Sequence, residues 1–192
     1  MSSLDSIYQD LIMDHARHPH GKGLTSPFDG ESFQVNPTCG DRIQLRVRLA
    51  QADGGSAGGA GAVVLGPGET EGVGADGAAG KLAAPVLESV SWDGQGCSIS
   101  QASASMMTDL TAGQSLSEVL ALEEAFSRMM RSRGQGIEEE AADSLEDAIA
   151  LEGVSRYPMR VKCALLGWMA LKDAVAKALA GDATPAHIPE GI

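Results

Sequence analysis

Residues 43–50 alternate without a break: Ile43, Leu45, Val47 and Leu49 fall on one side, Gln44, Arg46 and Arg48 on the other. A period of two over that length describes a strand with one apolar face, spanning about 42–50. The turn NPTCGDR (36–42) leads into it, punctuated by Pro37 and Gly40. The alternation resumes in VLESVSW (86–92), which reads as the hairpin partner. Between the two runs, glycine and alanine supply 20 of the 34 residues from 51 to 84, with no aromatics. Such a stretch buries too little apolar surface to offset its ordering entropy, so it reads as a flexible insertion at the hairpin tip. A short strand around Val63–Leu65 is weakly signalled within it.

Helical spacing governs most of the rest. Leu4, Ile7, Tyr8, Leu11 and Ile12 mark an amphipathic helix over 3–17, ending before Pro19. A loop through Gly21, Gly23 and Pro27 follows. After the second strand, Ile99, Ala102, Ser103, Met106 and Leu110 outline another helix, and Ser115 with Glu118 forms the capping-box pattern that opens one over 115–131. The acidic stretch 134–147 reads as a loop passing into a short helix that ends near Glu152. A last helix spans 158–180, with Pro158 in its first turn. Strands first and helices afterwards give an α+β class, a small antiparallel sheet packed against helices. The expected organisation is one domain over 1–180 carrying the insertion at 51–84, then a frayed tail over 181–192.

At 192 residues the chain suits one domain. No apolar run approaches the roughly 18–20 residues that cross a bilayer. The N-terminal segment lacks the apolar centre of a signal peptide, so a cytoplasmic protein is expected. A net charge of −12 opposes nucleic-acid binding, which needs clustered lysine and arginine. The charge either keeps the chain soluble or suits a basic protein partner.

Three cysteines, an odd number, speak against a disulfide framework. Cys39 lies in the turn before the strand, with Asp41 two residues on. Cys97 stands at a helix N-terminus, where unpaired N–H groups favour a thiolate. Cys163 lies in the last helix, opposite the stripe Val161, Leu165, Trp168, Leu171, Val175 and Leu179. It shares its face with Arg160, Gly167, Ala170 and Ala174. Arg160 and Lys162 are expected to depress its pKa if the thiol is reactive. Three thiolates and a carboxylate suit tetrahedral Zn²⁺ and exclude Mg²⁺ and Ca²⁺. The spacing, without a CxxC pair, leaves small core cysteines as the alternative.

IMDHARHPHGKG, NPTCGDRI, GQGCSISQASASMMT and RVKCALLGW, in this order, resemble the SufU family. That family lies within the IscU-like (NifU N-terminal-like) group of iron–sulfur cluster assembly proteins. The resemblance covers most of the chain, leaving out 51–84 and the end after about 180. It implies that Cys39, Asp41, Cys97 and Cys163 ligate one Zn²⁺. It implies that Cys39 accepts sulfur from the persulfide of a PLP-dependent cysteine desulfurase (SufS-type), with Arg160 assisting and Cys39 exchanging off the metal to react. Downstream Fe–S scaffold proteins are the implied recipients. The alternative role is an IscU-like scaffold holding a transient Fe–S cluster; a zinc-stabilised adaptor without chemistry is a third. Scaffolds of that type carry a histidine immediately before the third cysteine, where this chain has Lys162, and a shorter segment between the second and third cysteines, where this chain has 65 residues.

His15, His18 and His20 are not expected to converge, because Pro19 breaks the helix between them; His15 reads as a packing or docking residue. His187 lies in the tail. The methionines read as core, and the serines of CSISQASAS as close-packing helix residues.

Overall fold

The alternating run becomes the middle strand of a three-stranded antiparallel sheet in the computed structural model of the chain, which describes residues 3–50 and 85–186. The strands are β1 (Gly30–Val35), β2 (Arg42–Ala50) and β3 (Val86–Gln95), in the order β1-β2-β3. Ile43, Leu45 and Val47 of β2 are buried, and Leu45 and Val47 pair in register with Trp92 and Val90 of β3. The pairing slips by one residue between Arg48 and Leu49. This bulge changes the phase of β3, so Leu87 points inward along with Val90 and Trp92. The insertion at 51–84, including the expected strand at Val63–Leu65, lies outside the described residues.

β1 is an addition to the elements expected. Its inward positions, opposite Ile43, Leu45 and Val47, are Gln34, Ser32 and Gly30, and its apolar Phe33 and Val35 lie on the other face. The small inward residues have a purpose. A Cβ on Gly30 would stand 2.1 Å from the Ala174 carbonyl oxygen, so the strand touches the last helix backbone to backbone.

The helices are α1 (Ser3–Arg17), α2 (Ser98–Thr111), α3 (Leu116–Arg131), the short α4 (Glu139–Asp143) and α5 (Pro158–Leu179), with a run of 3₁₀ turns over Glu146–Arg156. α3 opens with the expected box: Ser115 Oγ accepts from the Glu118 N–H, and the Glu118 carboxylate accepts from the Ser115 N–H. The expected short helix ending near Glu152 is instead α4 followed by the 3₁₀ run, which buries Ala148, Leu151 and Val154 at one edge of the core.

α5 is buried on two sides, because β1 and β2 cover one and α2 and α3 the other. Trp168 stacks on Phe126 of α3 at 4.7 Å between ring centroids, while Gly167, Ala170 and Ala174 are buried as well. The expected stripe therefore needs correction at its end: Leu179 is exposed, in the last turn beyond the core. Ile7 of α1 is likewise exposed; Tyr8, Leu11 and Ile12 pack on the core. Met106, Met107, Met129 and Met130 are core residues, as expected. The segment after α5 is tied down over part of its length, since the Ala186 N–H donates to the buried Glu31 carboxylate.

Candidate metal centre

The NPTCGDR turn is folded by its asparagine. Asn36 Oδ1 accepts from the Thr38 N–H (3.0 Å), the Asn36 carbonyl accepts from Gly40 N–H (2.9 Å), and the Asn36 N–H donates to the Asp41 carbonyl (2.7 Å). Gly40 takes φ +76°, a conformation that favours glycine. Together these bonds put Cys39 at the apex, exposed, and fold Asp41 back into the protein, buried.

Cys163 comes from the first turns of α5 and is buried, with the Asn36 amide 3.8 Å from its sulfur. The Cys39 and Cys163 sulfurs lie 3.5 Å apart, and with a carboxylate oxygen of Asp41 they form a set whose ligand atoms all fall within 4.8 Å of one another. Cys97 is the N-cap of α2 and exposed. Its N–H donates to Asp41 Oδ1 (3.3 Å), and its carbonyl accepts from the Gln101 N–H and the Ser100 hydroxyl. Its thiol stands close enough to bear on both Asp41 and Cys163, at the rim of the tighter three.

Asp41 Oδ1 thus has a donor, whereas Oδ2 is buried and no donor reaches it in good geometry. Burial opposes ionisation of this carboxyl, but the thiols of Cys163, Cys39 and Cys97 and the Ser100 hydroxyl outweigh it and hold the pKa below its ordinary value. Cys163 moves the other way. Burial raises its pKa first, and the neighbouring Cys39, Asp41 and Cys97 raise it further. The expected depression by Arg160 and Lys162 does not occur, because both charges point elsewhere. Arg160 is exposed over the Tyr157 ring at 5.4 Å, and the Lys162 ammonium lies 3.5 Å from Thr38 Oγ1.

Three sulfur donors and one carboxylate, with an orphaned buried oxygen among them, fit a thiophilic divalent cation such as zinc. Such an ion would favour the Cys163 thiolate, whose ionisation burial and the neighbouring Cys39, Asp41 and Cys97 now oppose. Arg160 stands one turn before Cys163, outside this set. Asn36 and Ser100 complete the surroundings. The N-P-T sequence carried an Asx-turn signal for Asn36; Ser100 had none beyond its place in the first turn of α2.

The model of the NifU-like N-terminal domain matches residues 7–56 and 81–164, a span that includes Cys39, Asp41, Cys97 and Cys163. The chain belongs to that family. It is 36% identical to the zinc-dependent sulfurtransferase SufU of Bacillus subtilis, across 94% of this chain and 97% of the relative. It is 34% identical to the iron–sulfur cluster assembly scaffold protein IscU of Streptococcus pyogenes serotype M1, across 100% and 97%. The crystal structure of a NifU-like protein (N-terminal) from Brucella abortus superimposes with a TM-score of 0.65 at 20% identity, covering 93% of this chain and 99% of that one, a likeness of fold. As a NifU-like domain of the SufU and IscU kind, the chain is an iron–sulfur cluster assembly protein.

A second group lies at the far end of α2. Contrary to expectation, His15 and His20 meet, their ring centroids 5.2 Å apart, beside Asp109. Pro19 does end the helix, and the reversal that follows is what returns His20 to the buried His15. His18 stays outside, paired with Asp14; His187 lies outside the described residues.

Proposed function

We propose that this protein is a zinc-dependent sulfur acceptor, taking persulfide sulfur from a PLP-dependent cysteine desulfurase for iron–sulfur cluster assembly. Cys39, Asp41, Cys97 and Cys163 would hold the zinc, whose contribution when bound is to keep the thiols ionised at neutral pH. The Cys39 thiolate attacks the outer sulfur of the donor persulfide. A new S–S bond forms on Cys39, the donor S–S bond breaks, and its electron pair leaves with the donor cysteine as thiolate. Arg160, exposed one turn before Cys163, is a cation available to steady that leaving thiolate. The sulfur then passes to a downstream Fe–S scaffold protein, in a reducing, cytoplasmic setting.

The observation that carries this reading is the contrast between two exposed cysteines. Cys97 has its peptide built into the first turn of α2, whereas Cys39 stands at the apex of a short turn and can swing outward while Asp41, Cys97 and Cys163 stay in place. Lys162, where the scaffold class has histidine, supports it further, since a protonated lysine is a poor cluster ligand. The scaffold reading keeps the support of the IscU relative.

Incubation with desulfurase and cysteine, followed by alkylation and mass spectrometry, is expected to find the added sulfur on Cys39. Cys39→Ser should lower sulfur acceptance by at least about tenfold, because the hydroxyl replaces the attacking thiolate. Sulfur found on Cys97 instead, or a stoichiometric, stable [2Fe–2S] chromophore after anaerobic reconstitution, would overturn the assignment.

A further inference from the structure

We propose that His15, His20 and Asp109 form a second metal site, separate from the thiols, for a divalent transition ion that takes imidazole and carboxylate ligands, zinc or cobalt being the simplest. Their ligand atoms lie within 4.8 Å of one another. A tetrahedral ion with bonds of about 2.1 Å sets its ligand atoms roughly 3.4 Å apart, so modest side-chain rotation closes the set. Two of the three side chains lie at the surface with room to adjust, those of His20 and Asp109 being 56% and 47% exposed. They also leave a path for the ion.

His15 is the fixed member, 5% exposed and held through Nδ1 by Ser105 Oγ at 2.8 Å. That bond leaves Nε2 for an ion, and one ring nitrogen on an outer partner with the other on the metal is the usual arrangement of ligating histidines. The same Ser105 oxygen accepts the His20 N–H at 2.8 Å, so a single hydroxyl fixes both histidines relative to α2. The His20 carbonyl accepts from Trp92 Nε1 at 3.0 Å, which ties the loop to β3. His20 Nδ1 lies 2.6 Å from Asp109 Oδ2, and Asp147 Oδ2 lies 3.6 Å from His15 Nε2. Among the described residues, the ion-pair partners of both carboxylates are these histidines. Two carboxylates facing two imidazoles favour a divalent cation.

The group contains no thiol and so lacks the donors of a Fe–S cluster. Cys97 and Asp109 sit at opposite ends of α2, about 18 Å apart along its axis by helical rise. The inference is thus independent of the reading of the thiol centre.

The full chain titrated with Co²⁺ separates the two centres. A thiolate-bound ion gives intense sulfur-to-metal charge-transfer absorption, and an imidazole–carboxylate ion does not. Two equivalents are expected, one of them without the charge-transfer band. His20→Ala and Asp109→Ala should each weaken that one by at least about tenfold, leaving the charge-transfer band intact. His15 is left alone, since its burial makes substitution a risk to folding. Failure to bind an equivalent lacking the band, or its survival at full affinity in both variants, would overturn the proposal. Loss of the charge-transfer band alone would count against the thiol centre and leave this site standing.

Discussion

Gly96 is a glycine with no room for a side chain beside the thiol centre. A Cβ there would meet Ser100 Oγ at 2.2 Å and Asp41 Cγ at 2.9 Å. Ser100 is on the first turn of α2, so the glycine lets that turn close on the carboxylate. Gly96→Ala is expected to cost about 1–3 kcal/mol through overpacking, read as a lower denaturant midpoint, and to weaken metal binding. The double variant with Ser100→Ala tests the cause. It removes the nearer obstacle and should recover part of the stability, but the push on Asp41 persists, so the metal defect should remain. Full recovery of metal affinity would show that Asp41 is not displaced. At this scale much of the thiol centre was legible: C-x-D on a turn, and a cysteine at a helix start, are local patterns. The meeting of His15 and His20 was not, because it depends on the direction the chain takes after Pro19 and on a hydroxyl from α2, which helical spacing does not encode.

Among the elements, β1 shows why a strand can escape a pattern-based reading. Its inward residues are Gly30, Ser32 and Gln34, selected for closeness to α5 rather than for apolar area. On its other face, Glu31 is fully buried and stands opposite Arg46 of β2, with which it forms an ion pair. Arg46 also donates to the Thr25 carbonyl and the Ser26 hydroxyl, and lies over the Phe28 ring at 4.3 Å. An arginine that read as an outward residue of an alternating run is therefore the joint between β1, β2 and the preceding loop. Removing one partner of a buried pair strands the other charge. Arg46→Gln is expected to cost about 3 kcal/mol, the low end for such a change because Arg46 is partly exposed. Adding Glu31→Gln should return part of that loss. Chemical denaturation of the two variants measures both, and a single-variant cost below about 1 kcal/mol would mean that the Ala186 N–H already satisfies Glu31.

At the scale of the whole molecule, the sheet and helices close without residues 51–84. Ala50 and Val86 face each other as the last pair of the β2–β3 ladder, so the two ends of the segment are held together by the sheet. The family model leaves 57–80 unmatched, and the candidate thiol centre lies at the opposite end of the same hairpin, where Arg42 pairs with Gln95. A hairpin whose ends already meet requires only a turn there. Loop-closure entropy grows with the logarithm of length, so shortening 34 residues to a four-residue Asn-Gly turn should stabilise the fold by roughly 1–2 kcal/mol. Both metal equivalents and sulfur acceptance should be unchanged, since their residues come from the far end of the hairpin, the loop after α1 and the helices. A higher melting temperature with intact metal stoichiometry is the expected result. A lower one would mean that the segment covers apolar surface of the core, and loss of sulfur acceptance alone would assign it to partner docking.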